Sequence, residues 1–142
     1  MSDHVLNNTR ASGVYFLDAS RQPAIEQLAK DARLTLLSAE IQKHSTLEDF
    51  LRQLGSALKF PAWFGANFDA LFDCLTDREW QPAKGLVIQI SGMSRLRSSA
   101  PVDFATLIRV LQDAAETRRT MHAPFWILID TPARGIPAFP EA

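Results

Sequence analysis

The sequence predicts an α/β protein in which a small, mostly parallel sheet of three or four strands is packed in layers with helices. Short apolar segments alternate with longer segments whose apolar residues recur at helical spacing. Parallel neighbouring strands need crossover connections, and the intervening helices provide them. The predicted strands are nearly continuous apolar runs, which is typical of a sheet covered on both faces. The predicted order of elements is β-α-β-α-α-β-α-β.

The N-terminal part of the chain contains two predicted strands joined by a helix. Residues 1–12 are polar and are expected to fray, whereas residues 13–18 form a short apolar run rich in strand-forming residues. Pro23 suits the first turn of the helix that follows. The second strand is predicted at residues 34–38. The apolar positions of the intervening helix are Ile25, Leu28, Ala29 and Ala32.

A second helix is predicted to begin near Ser45. Ser45 and Glu48 form a capping-box pattern, in which each side chain satisfies a free backbone N–H of the other residue. Apolar residues then recur at helical spacing and define one buried face. They are Leu47, Phe50, Leu51, Leu54 and Leu58.

The second half of the chain contains two further helices and two strands. Asn67 is predicted to cap a short helix, because its side-chain oxygen accepts a free N–H of the first turn. A strand is predicted at residues 85–91, a loop at 92–99 and the last strand at 125–130. Pro101 opens the longest helix. The apolar stripe of that helix is Phe104, Leu107, Ile108, Leu111 and Ala115.

Length and composition favour a single domain, residues 1–142, without a membrane span or a disulfide. The formal net charge of −1 leaves no overall field that would attract nucleic acid or an anionic membrane. Cys74 is the only cysteine, which fits a reducing compartment. The polar N-terminus does not resemble a signal peptide, so we expect a cytoplasmic protein. Residues 131–142 are expected to form a loose tail, because they contain several prolines.

Residues 60–80 carry the strongest functional signal. This segment contains four acidic side chains and one basic side chain, although the whole chain is nearly neutral. Asp69 and Asp73 are one helical turn apart and repel each other, which costs an isolated helix about 0.2–0.5 kcal/mol. Trp63 and Phe64 stand just before the helix. The segment therefore predicts an acidic, aromatic surface that binds another protein.

Most of these residues also have a purely structural explanation. Asp69 lies in a first helical turn, where the dipole favours an anion. Trp63 and Phe72 fit a core as well as a surface, and Cys74 is expected to be a small buried hydrophobe without a neighbouring base to activate it. Asp73 and Asp77 are harder to explain in this way, because they lie toward the helix C-terminus, where the dipole disfavours anions.

The run PAWFGANFDALFDCLT, residues 61–76, resembles the signature of the barstar family of intracellular ribonuclease inhibitors. The elements predicted on either side of the run follow the same order as in that family. The resemblance covers residues 33–130, and residues 13–32 look like an added βα unit before this core. It implies a barstar-like layered fold and an inhibitor rather than an enzyme, with no cofactor and no metal.

The resemblance also implies which residues contact the partner. In the family, the loop and short helix block the ribonuclease active site, and an aspartate that matches Asp73 occupies the place of a substrate phosphate. Trp63 matches a tyrosine that packs over the catalytic histidine, and Phe72 matches a tryptophan at the rim. Asp113 on the long helix matches a more distant glutamate. Contact positions that are identical in type are Gly65, Asn67, Asp69 and Thr76.

This sequence departs from the family pattern at several of these positions. Ala62 and Ala66 stand where the family has acidic residues, Asp77 replaces a glycine, and Trp63 lacks the tyrosine hydroxyl. The implied partner is an extracellular-type, barnase-like ribonuclease or a related toxin, bound one-to-one in an antitoxin or immunity role. The alternative is a barstar-fold adaptor or regulator that binds another kind of protein. It predicts that substituting Asp73 leaves binding nearly unchanged.

Other chemistries fit the sequence less well. Asp69 and Asp73 point the same way, whereas glycoside hydrolysis needs carboxylates on opposite sides of the scissile bond. His4, His44 and His122 lack metal-ligand spacing and are expected at the surface. A basic patch for RNA is disfavoured, because the aromatic segment is acidic and helix C-termini attract cations in any case. The arginines of that patch are Arg95, Arg97, Arg109, Arg118 and Arg119.

Overall fold

The computed structural model describes residues 5–44, 46–80 and 85–140. Within these ranges it confirms the predicted α/β layered fold, with 3₁₀ turns at Val5–Asn7 and Ala19–Arg21. The strands are β1 (Val14–Phe16), β2 (Thr35–Glu40), β3 (Leu86–Ser91) and β4 (Phe125–Ile129). The helices are α1 (Gln22–Asp31), α2 (Leu47–Ala57), α3 (Phe68–Thr76), α4 (Ser94–Ser99) and α5 (Pro101–Arg119).

The strands form one sheet in which each pairing is parallel, in the order β1-β4-β3-β2. One register row crosses the sheet through Leu37, Ile88, Ile127 and Val14. Because β1 and β2 are the two edge strands, the connection through α1 crosses the whole sheet, and the later connections step back one strand at a time. Right-handed crossovers in opposite directions place α1 on one face and the later helices on the other.

Side chains alternate along β4 and enter two separate cores. Phe125, Ile127 and Ile129 belong to the larger core, which also contains the buried residues of α2, α3 and α5. Trp126 and Leu128 belong to the smaller core, on the side of α1. The sheet is therefore covered on both faces, as the continuous apolar strands predict.

The N-cap of α2 is Thr46 rather than the predicted Ser45, which lies outside the described residues. Thr46 has an extended backbone, and its Oγ1 accepts a hydrogen bond from Asp49 N at 3.0 Å. Glu48 forms an ion pair with Arg52 instead, with Oε2 and Nη2 2.6 Å apart. The cap therefore lies one residue later than the sequence pattern indicates.

The loop predicted at residues 92–99 contains a short helix, α4. Gly92 makes the turn into it with φ of +84°. The Asp130 carboxylate accepts hydrogen bonds from Gly92 N at 2.9 Å and Met93 N at 3.4 Å. Met93 and Leu96 are buried, so tertiary packing stabilises a helix too short to be recognised by periodicity.

The prediction of a frayed N-terminus is wrong for residues 5–12. Leu6 and Trp126 are both completely buried, and Trp126 Nε1 donates to Leu6 O at 2.9 Å. Ser12 is also buried, and its hydroxyl donates to Thr9 O at 2.7 Å. These residues cover the smaller core, which polar composition alone does not reveal.

The loose C-terminal tail is likewise wrong for residues 131–140. Phe139 is buried against Trp126, with ring centroids 5.6 Å apart. Phe16 N donates to Pro137 O, and Phe139 N donates to Phe16 O, each at 2.8 Å. The tail thus pairs with β1 at Phe16. Pro137 has no N–H but contributes its carbonyl, and Phe139 contributes its N–H.

Of the histidines expected at the surface, one is buried and one is exposed. His44 is buried, edge-on to Phe50 with ring centroids 5.3 Å apart, because it lies between β2 and the start of α2. His122 is exposed as predicted, and His4 lies outside the described residues. In the described ranges, no three His, Cys, Asp or Glu side chains group to hold a metal, and no helix is long and apolar enough to cross a bilayer.

Candidate protein-binding site

Aromatic packing fixes the loop before α3. The Phe60 ring meets Phe64 and Trp80 edge-on, with centroids 4.9 Å apart in each pair. Phe64 packs so closely on α2 that a Cβ at Gly55 would lie 2.6 Å from its ring. Trp80 Nε1 also donates to Leu58 O at 2.9 Å. The loop is therefore held on both sides, although it has no regular secondary structure.

Trp63 lies at the surface of this loop. Its side chain is 54% exposed, which makes it one of two large exposed hydrophobic residues in the described ranges. The interpretation of Trp63 as a core residue is therefore wrong. Burial of this exposed indole against a partner would contribute to the binding free energy, because aromatic side chains provide large contact areas at interfaces.

The start of α3 is fixed by three consecutive residues. Asn67 Oδ1 accepts a hydrogen bond from Ala70 N at 2.8 Å, which confirms the predicted cap. Ala66 is buried and has a left-handed backbone with φ of +53°. A Cβ at Gly65 would lie 3.1 Å from Asn67 Nδ2, so the glycine leaves room for the capping side chain. These residues set the direction in which α3 leaves the loop.

The helix α3 turns its acidic residues to solvent and its apolar stripe to the core. Asp69 and Asp73 are exposed, whereas Leu71 and Leu75 are buried. Phe72 is half-buried and packs against the larger core. Neither carboxylate forms an ion pair within the part of the chain that the structure describes. We refer to Trp63, Asp69 and Asp73 together as the acidic surface.

The last turn of α3 uses its polar side chains locally. The Thr76 hydroxyl donates to Phe72 O at 2.8 Å, so it bonds back to its own helix. Asp77 is the C-cap residue, and its Oδ1 accepts a hydrogen bond from Glu79 N at 2.9 Å. Asp77 stands at the end of the helix, and the Thr76 hydroxyl is satisfied within the helix, which gives Thr76 a structural role alongside any contact with a partner.

Arg118 of α5 holds the C-terminal end of α3, a role that the sequence pattern did not predict. Its Nε donates to Leu75 O at 2.7 Å, and Nη2 donates to Asp77 O at 3.3 Å. The guanidinium lies 5.1 Å from the Phe125 ring centroid and 6.0 Å from that of Trp80. Burial lowers the pKa of Arg118, and the negative charge of Asp77 opposes that shift.

The burial of Arg118 can be read from its spacing along α5. Arg118 follows Leu111 by seven residues and Ala114 by four, so it continues the apolar stripe of α5. Arg119 is also engaged, because its Nη1 donates to Ser12 O at 2.9 Å. Both arginines serve the packing of the fold, which agrees with the structural explanation and leaves the disfavoured RNA patch without these two cations.

Asp113 is exposed on α5, the helix against which α3 packs. It precedes Arg118 by five residues, which corresponds to about 140° around the helix. Asp113 therefore points away from the contact that Arg118 makes with α3. The other predicted contact residues lie together on the loop and α3, whereas Asp113 is carried by the neighbouring helix.

The comparison with family models places these elements in a known group. Residues 34–130 match the model described as Barstar (barnase inhibitor), which is more than half of the chain. The chain belongs to the barstar family. The match begins just before β2 and ends after β4, so it contains the acidic surface and α5. A search of curated proteins found no match.

The added elements of this barstar-family chain lie outside the matched region. β1 and α1 precede it, and residues 131–140 follow it. Leu6 from the segment before the match and Phe139 from the segment after it pack with Trp126 of β4 in the smaller core, so both additions cover that face of the sheet. The acidic surface is therefore built entirely from the part of the chain that the family shares.

Two of the family departures have structural consequences. Ala66, which stands at an acidic position of the family, is buried in the loop. Ala62, the other such position, is exposed and carries no charge. The negative charge that faces solvent before Asp77 is consequently concentrated in Asp69 and Asp73.

Three cavities in the described ranges, of about 400, 260 and 180 Å³, are lined by residues outside the acidic surface. Asp69 and Asp73 lie on the same exposed face, one helical turn apart, rather than across a cleft. This arrangement does not suit glycoside hydrolysis, which needs carboxylates on both sides of a bound sugar. It suits contact with the surface of another macromolecule.

Proposed function

We propose that this protein binds a barnase-like ribonuclease or a related toxin one-to-one and blocks its active site with the acidic surface. The observation that carries the proposal is the pair of exposed, unpaired carboxylates on a helix held at both ends. Asn67 caps the start of α3, and Arg118 holds its end. Because the helix is already ordered, little conformational entropy is lost when a partner binds.

Electrostatics supports this choice of partner. A ribonuclease needs cationic side chains to hold substrate phosphates, and an acidic plug is attracted to the same groups. Asp73 is proposed to take the place of a phosphate, with Asp69 beside it and Trp63 packed over the catalytic histidine of the ribonuclease. Gly65, Asn67, Phe72, Thr76 and Asp113 complete the proposed contacts. Inhibition in the cytoplasm would protect the cell that makes the toxin.

The test is inhibition of a barnase-like ribonuclease by the purified protein and by Asp73→Ala. We expect wild-type protein to inhibit and the variant to bind about 2–5 kcal/mol more weakly, because the partner's cations would be left buried without a counter-charge. Asp31→Ala is the matched control, since Asp31 is an exposed aspartate at the end of α1. It should inhibit like wild type.

Two further measurements decide between the proposal and the adaptor alternative. Circular dichroism should show that Asp73→Ala keeps its fold, and association should slow with rising ionic strength. An absence of inhibition by wild type, together with cellular partners captured equally by wild type and Asp73→Ala, would favour an adaptor that does not use the acidic surface.

A further inference from the structure

A groove of about 400 Å³ lies between the first half of α5 and the chain after β4. Its volume is within the range of about 300–1,000 Å³ that is typical of small-molecule sites. Phe104 and Ile108 of α5 provide an apolar floor, and Pro132 and Ala133 form the opposite wall. None of the acidic-surface residues lines this groove.

Three arginines surround the apolar floor. Arg97 comes from α4, Arg109 from α5 and Arg134 from the segment after β4. No carboxylate belongs to the residues that line the groove, and none of the three guanidiniums forms an ion pair within the described ranges. A nearly neutral protein therefore gathers three uncompensated cations around one small apolar groove.

The wall of the groove is held in place by hydrogen bonds. Arg97 Nη1 donates to Pro132 O at 2.9 Å, which ties α4 to the segment after β4. Within that segment, Ile136 N donates to Ala133 O at 3.1 Å. The groove is thus formed before any ligand binds, which lowers the entropic cost of binding.

The groove is independent of the proposed inhibitory function. The family match ends at residue 130, so Pro132, Ala133 and Arg134 lie beyond it. One wall of the groove and one of its three arginines therefore belong to the added tail of this chain.

We propose that this groove binds a small organic anion, with a phosphate or carboxylate group on a flat apolar body of about nucleotide size. The anionic group would lie among Arg97, Arg109 and Arg134, because guanidinium groups donate paired hydrogen bonds to such oxygens. The apolar body would cover Phe104 and Ile108. A neutral ligand would leave the three cations uncompensated and would bind more weakly.

The experiment titrates the full-length protein by calorimetry with two anions and their neutral counterparts. Adenosine 5′-monophosphate is compared with adenosine, and 1-naphthoate with 1-naphthylmethanol, so that phosphate and carboxylate are tested separately. We expect at least one anion to bind about tenfold or more tightly than its counterpart. Arg109→Glu should weaken that binding by about tenfold or more, and Arg134→Glu should do the same.

Arg10→Glu is the matched control, because Arg10 is an exposed arginine in the turn before β1 and lies outside the groove. It should leave anion binding unchanged.

Equal weakening by Arg10→Glu and Arg109→Glu would overturn the proposal, because it would show only a general charge effect. Failure of both anions to bind at millimolar concentration would overturn it too. If a poly-glutamate peptide bound where the small anions did not, the groove would be a site for an acidic peptide, which also contradicts the proposal. Ribonuclease inhibition by Arg134→Glu should stay at the wild-type level, because Arg134 lies beyond the family match, and this separates the test from that of the acidic surface.

Discussion

Cys74 follows Asp73 directly in α3 but faces the core, about 100° around the helix from it. Its side chain is completely buried, whereas Asp73 is exposed. Burial raises the pKa of the Cys74 thiol to about 11, and the charges of Asp77 and Asp73 add to the shift. The thiol is therefore neutral near pH 7 and is a poor nucleophile.

This shift predicts a loss of stability at alkaline pH. The thiol of an unfolded cysteine has a pKa of about 8.5, so as the pH rises the unfolded state loses this proton before the folded state does. The stabilising contribution of neutral Cys74 is complete below about pH 8.5 and disappears between about pH 8.5 and 11. Urea denaturation at several pH values should show a larger alkaline loss in the free energy of unfolding for wild type than for Cys74→Ala. Parallel losses in the two proteins would contradict the prediction.

Single residues were predictable where their role is local. The Asn67 cap and the exposure of Asp69 and Asp73 follow from helical periodicity and capping chemistry, which act within one or two turns. The burial of His44 and Arg118 was not predicted, because it depends on how separate elements pack: His44 lies against Phe50 of the next helix, and Arg118 lies against the end of α3. Arg118 reaches carbonyl groups about forty positions away, which no local pattern specifies.

At the scale of elements, α3 is useful for binding because the fold holds it from outside. It is nine residues long, too short to be stable alone in water. The aromatic contacts of Phe60, Phe64 and Trp80 hold the segments on either side of it. The orientation of the acidic surface consequently depends on residues that do not belong to it.

Replacing Arg118 should loosen the end of α3. Arg118→Leu leaves the carbonyls of Leu75 and Asp77 without their donor, and we expect a loss of about 2–4 kcal/mol in the free energy of unfolding. Hydrogen exchange should quicken for the α3 amides beyond the global change. Arg109→Leu, at an exposed position of the same helix, is the control and should leave α3 exchange unchanged. Uniform acceleration in Arg118→Leu would instead show a purely global effect.

Element prediction succeeded where an apolar stripe is long. The stripes of α2 and α5 extend over three turns or more, and both helices were located correctly. By contrast, α4 has six residues and depends on buried Met93 and Leu96 and on Asp130 from after β4. A helix stabilised mainly by tertiary contacts leaves little periodic signal in its own sequence.

At the scale of the whole molecule, the two ends of the described chain meet. β1 pairs with β4, and the residues after β4 return to bond with β1. Leu6, Trp126 and Phe139 pack together in the smaller core. The ends therefore contribute to the stability of the whole fold.

Phe139→Ala tests this contribution. Removing a completely buried phenylalanine should lower the free energy of unfolding by about 3–5 kcal/mol, because the ring leaves a cavity beside Trp126 and Tyr15. Pro140→Ala, at an exposed neighbouring position, should change it by less than about 0.5 kcal/mol. Urea denaturation measures both variants. Similar small changes in both would show that the tail contributes little to stability.

The parallel sheet was predictable because strands alternate with helices along the chain. The position of β1 beside β4 was not, because strand order depends on which face each crossover covers. The packing of residues 131–140 was also missed, since their prolines are typical of irregular structure and the decisive residue is the single Phe139. Local sequence patterns therefore predicted which segments are strands and helices better than they predicted strand order or the packing of the tail.

The pairing of β1 with β4 also affects how the protein behaves among copies of itself. Without β1 and the tail, β4 would become an open sheet edge whose five residues, Phe125–Ile129, are all apolar and buried in the intact fold. Exposed apolar edges of this kind are templates for strand addition by another molecule. We therefore expect the segments beyond the family core to reduce aggregation, and a version trimmed to residues 34–130 to aggregate more readily.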